Sequence, residues 1–123
     1  MSGYQNKHLR DLISLSSRYN LLSKSVGFEA VNYPENYEEF SGVKKALEAL
    51  TVDDFVNDFE FSLNLSQKEG VSEQGLFEHD DLVIMVMFLP QGESFPLHNH
   101  PGMTVLTKIL KGDVHITSGY LSN

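Results

Sequence analysis

Two histidines separated by a single residue, His98 and His100, are the side chains in this sequence best suited to chemistry. Residues two apart on an extended strand project from the same face, so both imidazoles can reach one ion while Asn99 points the other way. Imidazole suits Fe(II), Zn(II), Cu(II) and Ni(II). A His-x-His pair by itself reads equally well as two surface histidines, so the surrounding chain has to decide. Gly92 lies six residues before His98, Pro101-Gly102 turns the chain just after His100, and Gly112 marks a tight hairpin further on.

The other candidate ligands read less well. His8 falls in a helical pattern and is expected at its surface, and His79, in Glu78-His79-Asp80-Asp81, reads as a solvated turn residue. His115, on a strand returning from the Gly112 turn, is the only local candidate for a third ligand. Met85, Met87 and Met103 read as packing residues rather than thioether ligands, since Met is a common gap filler. Glu78, Asp80 and Asp81 lack the Gly-punctuated spacing of a calcium loop. The chain has no cysteine, which removes disulfides, thiolate ligands and a Cys nucleophile together.

The spacing around His98 resembles the first metal motif of cupins: a Gly, five residues, His-x-His, a short gap, a Glu position, six residues and a second Gly. Val105 stands at the Glu position, so the carboxylate ligand of many cupins is missing. At residue level, Phe95-Pro96-Leu97-His98-Asn99-His100-Pro101-Gly102-Met103-Thr104-Val105 resembles the signature of the plant cysteine oxidase and cysteamine (2-aminoethanethiol) dioxygenase family. Leu110-Lys111-Gly112-Asp113-Val114-His115-Ile116 continues the likeness, and Val43 to Asp54 resembles the helix and acidic start that precede the barrel there. The resemblance runs from about Val43 to Ser118.

It implies a small β-barrel that binds Fe(II) through three histidines, two of them His98 and His100. It also implies a non-haem iron thiol dioxygenase that takes O2 and a thiol, cysteamine or a protein N-terminal cysteine, to a sulfinic acid. Oxidising an N-terminal cysteine marks a protein for oxygen-dependent degradation, a form of oxygen sensing. Neutral ligands keep such a site cationic enough to hold a thiolate, which gives a reason for the missing Glu. The family's third His comes from a second cupin motif, and no Pro-x-Gly-x-x-His pattern occurs in this chain. Three readings follow. The chain is a C-terminally truncated form of the enzyme, or a catalytically inactive paralogue serving as an interaction protein, or a cupin that keeps the metal for another reaction.

The elements that must position the motif change character along the chain. Leu9, Leu12, Ile13, Tyr19 and Leu22 fall at helical spacing and Gly27 ends that segment. Val31 to Asn36, with Pro34, reads as a connection, and Phe40, Val43, Leu47 and Leu50 share a face of a second helix. Thr51-Val52-Asp53-Asp54 reads as a capped helix start, with Phe55 and Phe59 packing beneath it. Ser62 to Gly75 is polar and reads as a loop. Leu82 to Leu89 is an apolar run of strand length, expected to be buried on both faces. Met103 to Leu110 and Val114 to Ser118 form strand-like runs around Lys111-Gly112-Asp113. The expected fold is α+β: N-terminal helices and a loop over 1–75, then the first part of a cupin, jelly-roll-like antiparallel β-barrel over 76–123, in a single incomplete domain.

Composition sets the outer limits. With 123 residues, 41% apolar and 21% charged, the chain is sized for one globular domain. A net charge of −8, with nine scattered Lys and Arg residues, argues against nucleic-acid binding. The longest apolar run, Leu82 to Pro90, falls short of the ~20 residues that span a bilayer, and Met1 to Arg10 has no apolar run of a secretory signal. A cytoplasmic or nuclear location is expected.

Overall fold

The computed structural model describes residues 6–55, 70–94 and 102–116. Helix α1 (Lys7–Val26) starts at Asn6, whose side-chain oxygen accepts from the Leu9 backbone N–H at 3.0 Å. It ends at Gly27, whose φ of 67° and ψ of −133° suit only glycine. Leu9, Leu12, Ser16 and Tyr19 line its buried stripe at the spacing of one helix face.

A short helix α2 (Phe28–Asn32) and a 3-10 turn (Pro34–Asn36) occupy the stretch expected to be a plain connection. The difference has a local cause. Ala30 is fully buried, and its carbonyl accepts from the Tyr19 hydroxyl at 2.6 Å, which folds the segment back on α1. Helix α3 (Glu38–Ala49) buries Phe40, Val43 and Ala46, and Tyr19 and Phe40 meet at 5.5 Å between ring centroids. A further 3-10 turn (Val52–Phe55) carries the capping expected at Thr51: Asp54 Oδ2 accepts from the Thr51 backbone N–H at 2.8 Å. Phe55 is 1% exposed, whereas Phe59 lies outside the described residues.

Strands β1 (Ser72–His79) and β2 (Leu82–Phe88) form an antiparallel hairpin. β1 therefore begins inside the polar stretch expected to be loop. Its polar residues can pair because β2 supplies the ladder, with Ser72 opposite Phe88 and Gln74 opposite Val86. The register slips between Gly75 and Phe77, leaving Leu76 as the extra residue of a β-bulge. Gln74 lies opposite Val86 and Phe77 opposite Ile84, and the extra residue Leu76 is buried in the core.

One buried cluster joins the two halves, since Leu9, Leu12, Tyr19, Phe40 and Phe55 pack in the same core as Leu76 and Val86. Helices thus cover one face of the hairpin, as the change of sequence pattern implied. The apolar run of β2 is not buried on both faces. Ile84 and Val86 face the core, while Val83, Met85 and Met87 are exposed. Among the described residues no second layer covers that side. The other expected hairpin is also absent as a ladder: 103–110 and 113–116 carry no strand assignment, although Gly112 has the positive φ (88°) expected of its turn. Alternating pattern alone does not make a strand, because a strand needs a neighbour for its backbone groups.

Candidate metal-bearing segment

The approach to the His98-Asn99-His100 motif is a tight turn. Glu93 N donates to Pro90 O at 3.0 Å, and Gly92 takes φ 86°, as the third residue of a type II turn requires. His98 and His100 themselves lie outside the described residues. The chain resumes at Gly102 with φ 68°, so the motif is bracketed by two glycines in conformations that favour glycine.

The segment that follows the motif is extended and held by its side chains. Thr104, Lys108 and Leu110 are half-buried and turn toward the helices, while Met103, Val105, Leu106, Thr107 and Ile109 are exposed, so the alternation is broken at Leu106. Thr104 Oγ1 donates to Val31 O at 3.4 Å, and Leu110 packs against the core. Lys108 Nζ donates to Leu50 O at 2.6 Å and also to Glu48 O. Val105, at the position where many cupins carry a ligating Glu, is 51% exposed on the open face. β2 presents Val83, Met85 and Met87 on its own face away from the core.

The remaining histidines have separate surroundings. His8 Nδ1 lies 3.0 Å from Asp54 Oδ1, which also accepts from Asn6 Nδ2 at 2.9 Å. Burial pushes the Asp54 carboxyl up, but hydrogen bonds from the Thr51 backbone, Asn6 and His8 outweigh it, and the group is held below its ordinary value. His79, near the hairpin tip, is exposed and meets the Phe77 ring edge-on at 6.4 Å. His115 is exposed. Among the described residues no group of three His, Cys, Asp or Glu side chains is placed to hold a metal ion.

Sequence reasoning missed the contacts that hold this arrangement. Lys108, whose ammonium donates to the carbonyls of Glu48 and Leu50, carries no mark in the sequence that sets it apart from its neighbours. Asn20 and Lys24, which grip the hairpin turn, show only as an i, i+4 pair on one face of α1. No helix among the described residues is long and apolar enough to cross a membrane.

Comparison with known proteins agrees with the motif. The sequence model of the family described as PCO_ADO matches residues 34–120, a span that contains both histidines of the motif. Plant cysteine oxidase 1 of Arabidopsis thaliana is 49% identical over 43 residues, covering 35% of this chain and 15% of that protein. The 2-aminoethanethiol dioxygenase of Homo sapiens is 30% identical over 102 residues, covering 74% of this chain and 35% of that protein. The chain thus spans well under half the length of either relative. No solved structure matches.

Proposed function

Because the chain belongs to the PCO_ADO family, we propose that it works as a non-haem iron thiol dioxygenase, with His98 and His100 as two of the iron ligands. The carrying observation is the family match over 34–120, which takes in the His-x-His pair together with Val105 at the missing carboxylate. The substrates in this reading are O2 and a thiol, either cysteamine or a protein N-terminal cysteine, and the product is a sulfinic acid. In the second case the reaction reports oxygen supply. Such chemistry suits a reducing compartment, the cytoplasm or nucleus.

Iron held by His98 and His100 would supply a positive centre that favours the thiolate form of the substrate and a place for O2 beside it. The residues of this chain then have three tasks. His98 and His100 supply neutral nitrogen donors, which leave the site with enough positive charge to hold an anionic sulfur. Val105 contributes no competing negative charge. The apolar open faces of β2 and of 103–109 provide the surroundings from which water must be excluded around reactive oxygen. In this reading the helices up to Phe55 form the support, and the chain from the start of β1 at Ser72 forms the first part of a cupin barrel.

The test is oxygen consumption and sulfinate formation with Fe(II), using cysteamine and a peptide with an N-terminal Cys. Activity that disappears in His98→Ala and His100→Ala supports the proposal. Iron-dependent activity indifferent to both substitutions refutes it. A second reading, a catalytically inactive cupin paralogue serving as an interaction protein, draws on the exposed Val83, Met85 and Met87. It predicts no turnover with either thiol.

A further inference from the structure

We propose that the outward face of the β1–β2 hairpin is a docking surface for an amphipathic helix with a basic flank, supplied by a partner protein. The inference goes beyond both readings above and depends on neither.

Residues directly opposite each other on an antiparallel pair share a face. Opposite Val83, Met85 and Met87 of β2 stand Glu78, Gly75 and Glu73 of β1, and all six are exposed. The face therefore carries an apolar row on one strand and, beside it, two carboxylates separated by a glycine. Neither Glu73 nor Glu78 forms an ion pair among the described residues, so both charges are available to a partner. Gly75 is an independent sign. Its φ is not positive, and a Cβ there would meet nothing within 4 Å. Neither backbone nor packing calls for a glycine, a residue that weakens a strand interior. Its missing side chain leaves the flank of Met85 open at the centre of the face.

The row from Val83 to Met87 spans about 14 Å at the rise of a strand, the length of about two and a half turns of helix. A helix that fits lays its apolar stripe on that row. Lys or Arg side chains along one flank of the stripe then meet Glu73 and Glu78. Helices already cover the opposite face of the hairpin through Ile84 and Val86, and a sheet between helices is a stable layering. A second copy of this chain fits worse. It would bring its own Glu73 and Glu78 to the same face, and each copy carries a net charge of −8.

The probe is a fluorescein-labelled helical peptide with leucines on one stripe and lysines on both flanks, together with a twin that has glutamate in place of lysine. Binding to the full 123-residue chain is read by fluorescence anisotropy, folding by circular dichroism and self-association by sedimentation velocity. The lysine peptide should bind the wild type and the glutamate peptide should not. Glu73→Lys/Glu78→Lys should weaken the lysine peptide by about tenfold or more and favour the glutamate peptide, because each contact turns from attraction to repulsion. Glu35→Lys/Glu48→Lys makes the same change of net charge on the exposed side of the helical layer. It should shift affinity by less than about twofold, since salt screens distant charges. Met85→Glu should also cost about tenfold or more, by burying an unpaired charge. Gly75→Thr fills the centre of the face with a good strand former. It should weaken binding without lowering the thermal midpoint, and it decides the matter should Met85→Glu fail to fold. A lysine peptide that does not bind the wild type overturns the proposal, as does unchanged affinity in Gly75→Thr. Equal losses in the two double variants overturn it too, because the peptide then answers only to net charge. A dimer that dissociates in Met85→Glu also overturns it and gives the face to a second copy.

Discussion

The side-chain amide of Asn20 donates to the backbone carbonyl of Asp80 at 2.6 Å, joining the last turns of α1 to the tip of the β1–β2 hairpin. Lys24, one turn further along α1, pairs with the Asp80 carboxylate and lies 3.4 Å from that of Asp81. The tip needs this support because Asp80 and Asp81 have φ of 54° and 70°. A two-residue hairpin turn with positive φ at both positions is the type I′ geometry, which Asn-Gly satisfies more easily than Asp-Asp. The hydrogen bond from Lys24 holds the Asp80 carboxyl below its ordinary value, and the same bond raises Lys24.

Asp81→Gly should therefore stabilise the protein. Glycine removes the steric penalty of the left-handed conformation, worth roughly 1 kcal/mol. The contact given up is an exposed ion pair to Lys24, with Asp81 86% exposed, and such pairs contribute little. Thermal denaturation should show a midpoint a few degrees higher. A lower midpoint would mean that the carboxylate of Asp81 matters more to the turn than its backbone strain.

Asp54 should govern part of the acid sensitivity. Its carboxyl is held below the ordinary value in the folded chain, so ionised Asp54 adds stability above the usual carboxylate range. That contribution is lost as pH falls through about 4 toward the lower folded value. Asp54→Asn cannot ionise and should flatten this acid limb. At neutral pH it should cost roughly 1–2 kcal/mol through weakened bonds to Thr51, Asn6 and His8. Urea denaturation of both proteins at pH 7 and well below pH 4, toward the lowered folded value, measures the difference. Equal losses for both proteins on acidification would remove Asp54 from the account.

Phe55→Ala should be among the most costly changes outside the metal motif. Phe55 is 1% exposed and shares a core with residues of α1, α3, β1 and β2. Truncating a buried Phe costs about 3–5 kcal/mol, a large part of the stability of a domain this size. Loss of cooperative thermal unfolding is the expected result, and a midpoint within a few degrees of wild type would contradict it.

The helical layer was legible because helix signals are local. Leu9, Leu12 and Tyr19 repeat at helical spacing, Gly27 stops the run, and Asp54 caps from three residues beyond Thr51. The strands were less legible because their partners are distant. Ser72 to Gly75 looked like loop until β2 lay opposite, and Met103 to Leu110 looked like strand without a ladder to join. The bulge at Leu76 depends on pairing register, which no local pattern encodes. The His98-Asn99-His100 motif stands out in the sequence by residue identity and spacing but lies outside the described residues, whereas the Lys108 contact to the end of α3 joins residues 58 and 60 apart. Only the folded chain brings an ammonium to an unfilled helix end.

Val105 offers a direct test of why the proposed site lacks a carboxylate. It occupies the position of a ligating Glu in many cupins, and at 51% exposure on the open face its replacement by a longer polar side chain creates no buried charge. Val105→Glu should therefore leave folding close to wild type. With His98 and His100 as ligands, an added carboxylate gives the metal an anionic oxygen donor and should raise Co(II) affinity by about tenfold, the scale on which ligand-sphere changes act. The same negative charge should oppose a second anion at the metal, so binding of a thiolate should weaken even as the metal is held more tightly. Titration with Co(II), followed by cysteamine, separates the two effects through the thiolate-to-metal absorption band. Tighter Co(II) with weaker thiol binding is the expected pair. Tighter binding of both would show that a neutral ligand set is not what favours the thiolate. No change in either would place residue 105 away from the metal altogether.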